Sequence, residues 1–313
     1  MGDIHRLLIE HGVETVRRMD LDRGTVEAAA SYLGTEDDAI GVAYAGWAQA
    51  ALPHRKQPDA AHWEIRTDRV SLLVMPGMKS VPGKDAAWAG VPYGARARLI
   101  LLYLQTQALR NNSREIELGA SLRDWMNRMG VPVGGESARA IREQADRISR
   151  CRMSFEISGN DGRTRGLINQ NLVDGALFLE PDDRQGALSL ERARLGEVFF
   201  EQLKRHPLPI EEKAVSQLRN NSMAIDVYLW LAYRLHALPG PTNISWGALK
   251  QQFGKGMNRL DHFRTHFRGV LGLATAVYPE ASVEETDRGV RLKPSRPPVA
   301  QKVVHVPTVP RRP

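Results

Sequence analysis

Between residues 258 and 268 the sequence NRLDHFRTHFR sets Asn258, Arg259, His262, Arg264, Thr265, His266 and Arg268 among apolar residues that recur at helical spacing. Hydrogen-bond donors and cations projecting from one helix suit a polyanion whose grooves admit a helix and whose base edges carry donor and acceptor patterns. Farther along, Arg288, Arg291 and Lys293 flank the Asp287-Arg288-Gly289 turn, where a hairpin would hold them against a backbone or minor groove. An earlier helical stretch carries Arg139, Arg142 and Arg147 on its polar faces. These thirteen residues are the expected DNA contacts. Arginine both forks onto guanine and neutralises phosphate, so residue type does not separate base-reading from positioning contacts.

Other chemistries fit poorly. His262 and His266 have the i, i+4 spacing of a zinc-binding helix, but the intervening Phe-Arg-Thr supplies no general-base glutamate. The nine histidines include no His-x-His pair to hold the metal of a nicking enzyme, and the helical spacing of Tyr228 and Tyr233 points to core positions rather than to a nucleophile. GMKSVPGKD (residues 77–85) has five residues between its glycines, where a phosphate loop needs four, and Asp85 follows Lys84 where Ser or Thr would hold magnesium. The expectation is a binding protein without catalytic residues, metal or cofactor.

The 313 residues exceed one ordinary domain. With 42% hydrophobic and 25% charged residues the chain should build packed cores. Its +7 charge is unevenly placed: from Gly240 onward there are 12 Lys and Arg against 5 Asp and Glu, so residues 1–239 sum to zero. Such a segment attracts polyanions by steering and counterion release. The longest apolar run, residues 99–104, is too short to cross a bilayer, and the single Cys151 suits a reducing cytoplasm and a core position.

Residues 1–34 read as one or two short helices and 53–60 as a linker, with a loop over 75–92. A strongly apolar helix follows over 95–110, then a strand at 114–118 and a helix from Ser121, with Ser121 and Asp124 as a capping box. A third helix over 137–151 sets Ala138, Ile141, Ala145 and Ile148 on one face, and strands at 153–157 and 163–170 close a hairpin. The order recurs: a helix over 222–236, a strand remnant at Ile244, a helix capped by Ser245, a helix over 258–273 burying Leu260, Phe263, Phe267 and Val270, and a hairpin over 282–293. Helix, strand, helix, helix, hairpin is the winged-helix order. The expected fold is α+β, mainly helical, with tandem winged-helix domains and short hairpin wings. The divisions fall at 1–60 (helical segment and linker), 61–186 (first domain, for DNA contact or dimerisation), 187–295 (main DNA-binding domain) and 296–313 (a disordered basic, proline-rich tail).

GVPYGARARLILLYLQTQALR (residues 90–110), ELGASLRDWMNRMGVPVGGESARAIREQADRISRCRMSF (117–155), LINQNLVDGALFL (167–179) and LDHFRTHFRGVLGLATAVYPEA (260–281) together resemble the plasmid-encoded RepA initiators. The likeness spans roughly residues 65–298 and leaves the N-terminal ~60 outside. It implies a tandem winged-helix protein that binds repeated or palindromic duplex sites at a plasmid origin, opens adjacent duplex and recruits host initiation proteins and the replicative helicase. A monomer–homodimer equilibrium, copy-number control and a plasmid-associated cytoplasmic location follow from the same likeness. A winged-helix regulator or autorepressor without a replication role remains the alternative.

Overall fold

The computed structural model describes residues 2–67, 70–81, 83–132, 134–158, 165–178 and 190–300. Helices α1 (Asp3–His11), α2 (Val13–Val16) and α3 (Arg23–Leu33) open the chain. Asp22 caps α3 by accepting from the Thr25 amide at 2.8 Å. Strand β1 (Ile40–Tyr44) follows, then β2 (Trp63–Arg66), β3 (Val70–Met75), β4 (Met78–Val81) and β5 (Lys84–Trp88). The last two pair antiparallel across Gly83, so the loop expected over 75–92 is largely a hairpin. Its glycine and proline punctuation marks the ends and turn of short strands rather than a structureless connection.

The first helical unit begins at α4 (Gly94–Arg110), continues through β6 (Glu115–Glu117), α5 (Gly119–Arg128) and α6 (Gly135–Arg150), and ends in β7 (Arg152–Ser158), β8 (Arg165–Asn171), β9 (Val173–Phe178) and β10 (Leu190–Leu195). As expected, α6 buries Ala138, Ile141, Ala145 and Ile148. The expected capping box is absent: α5 starts at Gly119, and the Ser121 hydroxyl accepts from Tyr103 Oη at 2.7 Å. The hairpin at 153–170 forms, but it extends another sheet. Leu72 and Val74 of β3 register with Phe155 and Met153 of β7, aligning buried side chains, and the strands run β2-β3-β7-β8. The strands that join β6 are β10 and β9, in the order β6-β10-β9. A boundary at 186/187 therefore cuts this sheet. The turn at 160–162 lies outside the described residues.

Helix α7 (Glu197–Arg205), β11 (Pro207–Glu211) and α8 (Glu212–Leu218) lead to the second unit: α9 (Ser222–Arg234), β12 (Thr242–Ser245), α10 (Trp246–Phe253), α11 (Leu260–Ala276), β13 (Val283–Thr286) and β14 (Gly289–Leu292). Its strands run β12-β14-β13, the same pattern as β6-β10-β9. Residues 223–232 of α9 are all buried, which makes it a central helix rather than an amphipathic one, but Tyr233, expected in the core, follows that buried run and is 36% exposed. Ser245 caps α10 by accepting from the Ala248 amide at 3.2 Å.

The N-terminal segment is not a preface to the first unit. α3 packs against α11 and α8, β1 pairs with β11, the Gly2 amide donates to the Pro279 carbonyl at 2.8 Å, and buried His5 Nε2 lies 2.8 Å from the Ala276 carbonyl. Burial lowers the His5 pKa, and Nε2 is the donor because a carbonyl oxygen can only accept. The two units meet where α4 crosses α9. There the Arg98 guanidinium forks onto Asp226 at 3.0 and 2.8 Å and also donates to the Pro53, Leu52 and Gly94 carbonyls. His54 adds a bridge, with Nδ1 3.0 Å from Ser222 Oγ and Nε2 3.1 Å from the Phe253 carbonyl. Residues 53–60, expected as a linker, thus carry part of the joint between the units.

Candidate nucleic-acid interface

Helix α11 owes its orientation to Phe263, Phe267 and Val270, buried against α10 and α9. Each contributes on the order of 2–3 kcal/mol by leaving water. Leu260 differs from expectation: it is the first helical residue and 43% exposed, because the core contact of the helix begins one turn later at Phe263. Asn258, Arg259, His262, Thr265, His266 and Arg268 are exposed and Arg264 half-buried, so this face carries all seven polar residues expected of it.

Several of these side chains are held by neighbours. Arg259 forks onto Asp261, Nε to Oδ1 at 3.0 Å and Nη2 to Oδ2 at 2.5 Å, and this pairing draws the Asp261 pKa down to about 2. Arg268 Nε donates to Glu285 at 2.6 Å, Lys293 to Glu284, and Arg291 Nε to Asn243 Oδ1 at 3.0 Å. Arg264 and Arg268 lie over the ring of Trp246, 5.3 and 5.9 Å from its centre. The indole Nε1 of Trp246 donates to the Asp287 carbonyl at 3.2 Å, and Arg264 Nη2 reaches the same oxygen at 3.4 Å. Trp246 therefore ties α10, α11 and the β13–β14 turn into one surface. Arg288 stands exposed at that turn.

The earlier helix is arranged differently. Arg139 of α6 is exposed and Arg142 half-buried, its Nε enclosed without a hydrogen-bond partner. Arg147 is 3% exposed. It donates to the Val91 carbonyl at 3.2 Å, pairs with Asp59 at 3.0 Å and Glu143 at 2.9 Å, and lies 5.2 Å from the centre of the Tyr93 ring. At Gly90 a Cβ would stand 1.9 Å from Arg147 Nη1, so a glycine is required for the approach. This burial removes Arg147 from the side chains able to reach a phosphate, correcting the expectation for it. Helical spacing put it off the α4-facing stripe but gave no sign that residues 89–93 and Asp59 cover it.

The sequence reading also missed Trp246, Asn243, Asp261, Glu284 and Glu285 as parts of this surface. A signal existed for Glu284, which the hairpin register sets opposite Arg291. Among the described residues no group of three or more His, Cys, Asp or Glu could hold a metal ion. No helix among them is long and apolar enough to cross a membrane.

A crystal structure of a selenomethionine derivative of domains 2 and 3 of RctB matches with a TM-score of 0.51 and 13% identity, covering 80% of this chain and 98% of that one. A second crystal structure of RctB domains 2–3 matches with a TM-score of 0.45 and 11% identity, covering 80% and 97%. The first likeness shows a shared fold. No curated protein sequence matches. The model of the family described as plasmid encoded RepA protein matches residues 91–247, which run from just before α4 to the start of α10 and make up half of the chain. The chain belongs to the plasmid-encoded RepA family.

Proposed function

We propose that the protein is a plasmid replication initiator whose two helix–strand–helix–helix–hairpin units are tandem winged helices, the second being the main reader of double-stranded DNA. The observation that carries this reading is the exposed face of α11, with Asn258, Arg259, His262, Thr265 and His266 on a helix fixed by Phe263 and Phe267 and flanked by the β13–β14 hairpin with Arg288 and Arg291. A helix so mounted fits the major groove, and the hairpin lies where it would follow the adjacent backbone. Family membership supports a role at a plasmid origin. There the protein would bind repeated or palindromic sites, promote opening of nearby duplex and recruit host initiation proteins and the replicative helicase, as monomer or homodimer according to the symmetry of the site. It acts by binding and not by catalysis.

The test is a mobility-shift titration against the DNA flanking the gene and against a scrambled duplex, over a salt series, with wild type and Arg259→Ala. Salt-sensitive affinity for both duplexes, with a tighter component only on the native one that Arg259→Ala removes, is the expected result. Equal affinity for both duplexes, unchanged by the substitution, would reduce the surface to nonspecific attraction. Replication of a linked origin, against mere repression of a promoter, separates an initiator from a regulator.

A further inference from the structure

Arg98 and Arg147, buried, and Arg114, half-buried, face carboxylates: Asp226; Asp59 and Glu143; Asp174 and Glu197. Arg96 on the first turn of α4 and Arg219 just after α8 are half-buried too, yet neither has a carboxylate within ion-pair distance among the described residues. Their protein partners are backbone oxygens. Arg96 Nη1 donates to the Arg219 carbonyl at 3.2 Å, and Arg219 Nη1 to the Ser216 carbonyl at 2.7 Å. Burial, and then the adjoining Arg219 charge, lower the Arg96 pKa.

Two like charges in one neighbourhood and partly out of water repel, and carbonyl dipoles offset that only in part. An anion bridging the two guanidiniums would remove the repulsion, and the planar donor fork of arginine matches a phosphate. The place is informative as well. Arg219 Nε stands 3.0 Å from where a Cβ on Gly130 would be, so this guanidinium lies over the turn between α5 and α6, the turn that leads into the helix carrying exposed Arg139. A duplex laid on the exposed face of α6 would bring its backbone towards this turn.

We propose that Arg96 and Arg219 form a phosphate-binding site of the first unit that takes a backbone phosphate of duplex DNA. The proposal rests on the DNA-binding reading given above and extends it to residues from α4 and the α8–α9 junction. The full-length protein is titrated with the native and scrambled duplexes across roughly 50–200 mM salt as wild type, Arg96→Gln/Arg219→Gln and Arg96→Lys/Arg219→Lys. The glutamine pair should lower the slope of log affinity against log salt by about 1 for each arginine that contacts phosphate, while preference for the native duplex stays. The lysine pair should keep most of the slope. If the double glutamine variant does not fold, Arg219→Gln alone is read the same way.

An unchanged slope in a folded glutamine variant, with the preference of the wild type intact, overturns the site and leaves the α11 reading standing. Loss of preference already in wild type defeats that reading instead. Inorganic phosphate is titrated in parallel by thermal shift. Stabilisation of wild type that the glutamine pair abolishes, beside an unchanged DNA salt slope, would assign the arginines to a free anion and overturn the DNA source.

Discussion

In the first unit α6 turns Arg147 into the protein, where Asp59, Glu143 and the Val91 carbonyl enclose it, while in the second α11 leaves Arg259, His262, Thr265 and His266 in solvent. Both helices occupy the same place in the same element order, and their sheets share one strand order. What differs is the covering. Residues 89–93 and Asp59 lie over one side of α6, whereas α3 covers α11 around Gly272 and Leu273 and leaves Arg259, His262, Thr265 and His266 of its first turns exposed. Two copies of one architecture thus give one helix partly absorbed into the core and one free to meet a partner.

The joint between the units sets the largest expected effect. Arg98 and Asp226 are each about 5% exposed, and removing one partner leaves the other charge buried and unpaired. Asp226→Ala should cost about 3–5 kcal/mol of stability in urea titrations. A loss below about 1 kcal/mol would mean that Arg98 is satisfied by the Pro53, Leu52 and Gly94 carbonyls alone.

The pH dependence of the same joint comes next. Burial, then the Arg98 charge, lower the His54 pKa to about 4 against the usual 6.5. The unfolded chain therefore binds a proton at a higher pH than the folded one, so stability is full above about 6.5 and falls as pH drops towards 4. Within that window wild type should lose up to about 1.4 kcal/mol per pH unit more than His54→Gln, measured as unfolding free energy against pH. Parallel curves for the two proteins would remove His54 from the joint. His5, whose pKa is lowered in the same direction, is present in both and cancels in the comparison.

Arg147→Ala, paired with Arg259→Ala, tests the contrast between the two helices directly. The first should lose about 2 kcal/mol of stability, because several charge-assisted bonds go, and keep its affinity for DNA. The second should melt like wild type and lose about ten-fold or more in affinity for the native duplex. A variant of Arg147 that folds normally but binds DNA poorly would place that arginine at the interface after all.

Much of this arrangement was legible in the sequence. The apolar spacing of Phe263, Phe267 and Val270 marked the inner face of α11 and, by difference, its outer face, and Ser245 marked the start of α10. What escaped was set by partners distant in sequence. The 153–170 hairpin looked like a wing until β3 supplied a register of buried side chains for it, and β10 joins β6 across an insertion that local pattern cannot show. Residues 1–34 carried helical spacing but no sign of their seat on α11. Periodicity reports which side of a helix is apolar, not which segment returns to cover it.

The smallest effect concerns how the free helix is held. The Asp261 carboxylate takes Nε and one Nη of Arg259, which fixes the guanidinium plane and, on the proposed reading, would leave its outer edge for a guanine. It also sets a negative charge where phosphates of a bound duplex would approach, so simple electrostatics predicts that Asp261→Asn tightens binding to every duplex by the same few-fold factor at low salt. Positioning predicts a divergence: scrambled duplex bound a few-fold tighter, native duplex no tighter or weaker, and the ratio between them reduced. Competition of the two duplexes for the variant measures that ratio. An unchanged ratio would make Asp261 a counter-charge only, and a reduced one would show that this unit restrains its arginines to read sequence, where the first unit buries one of its own.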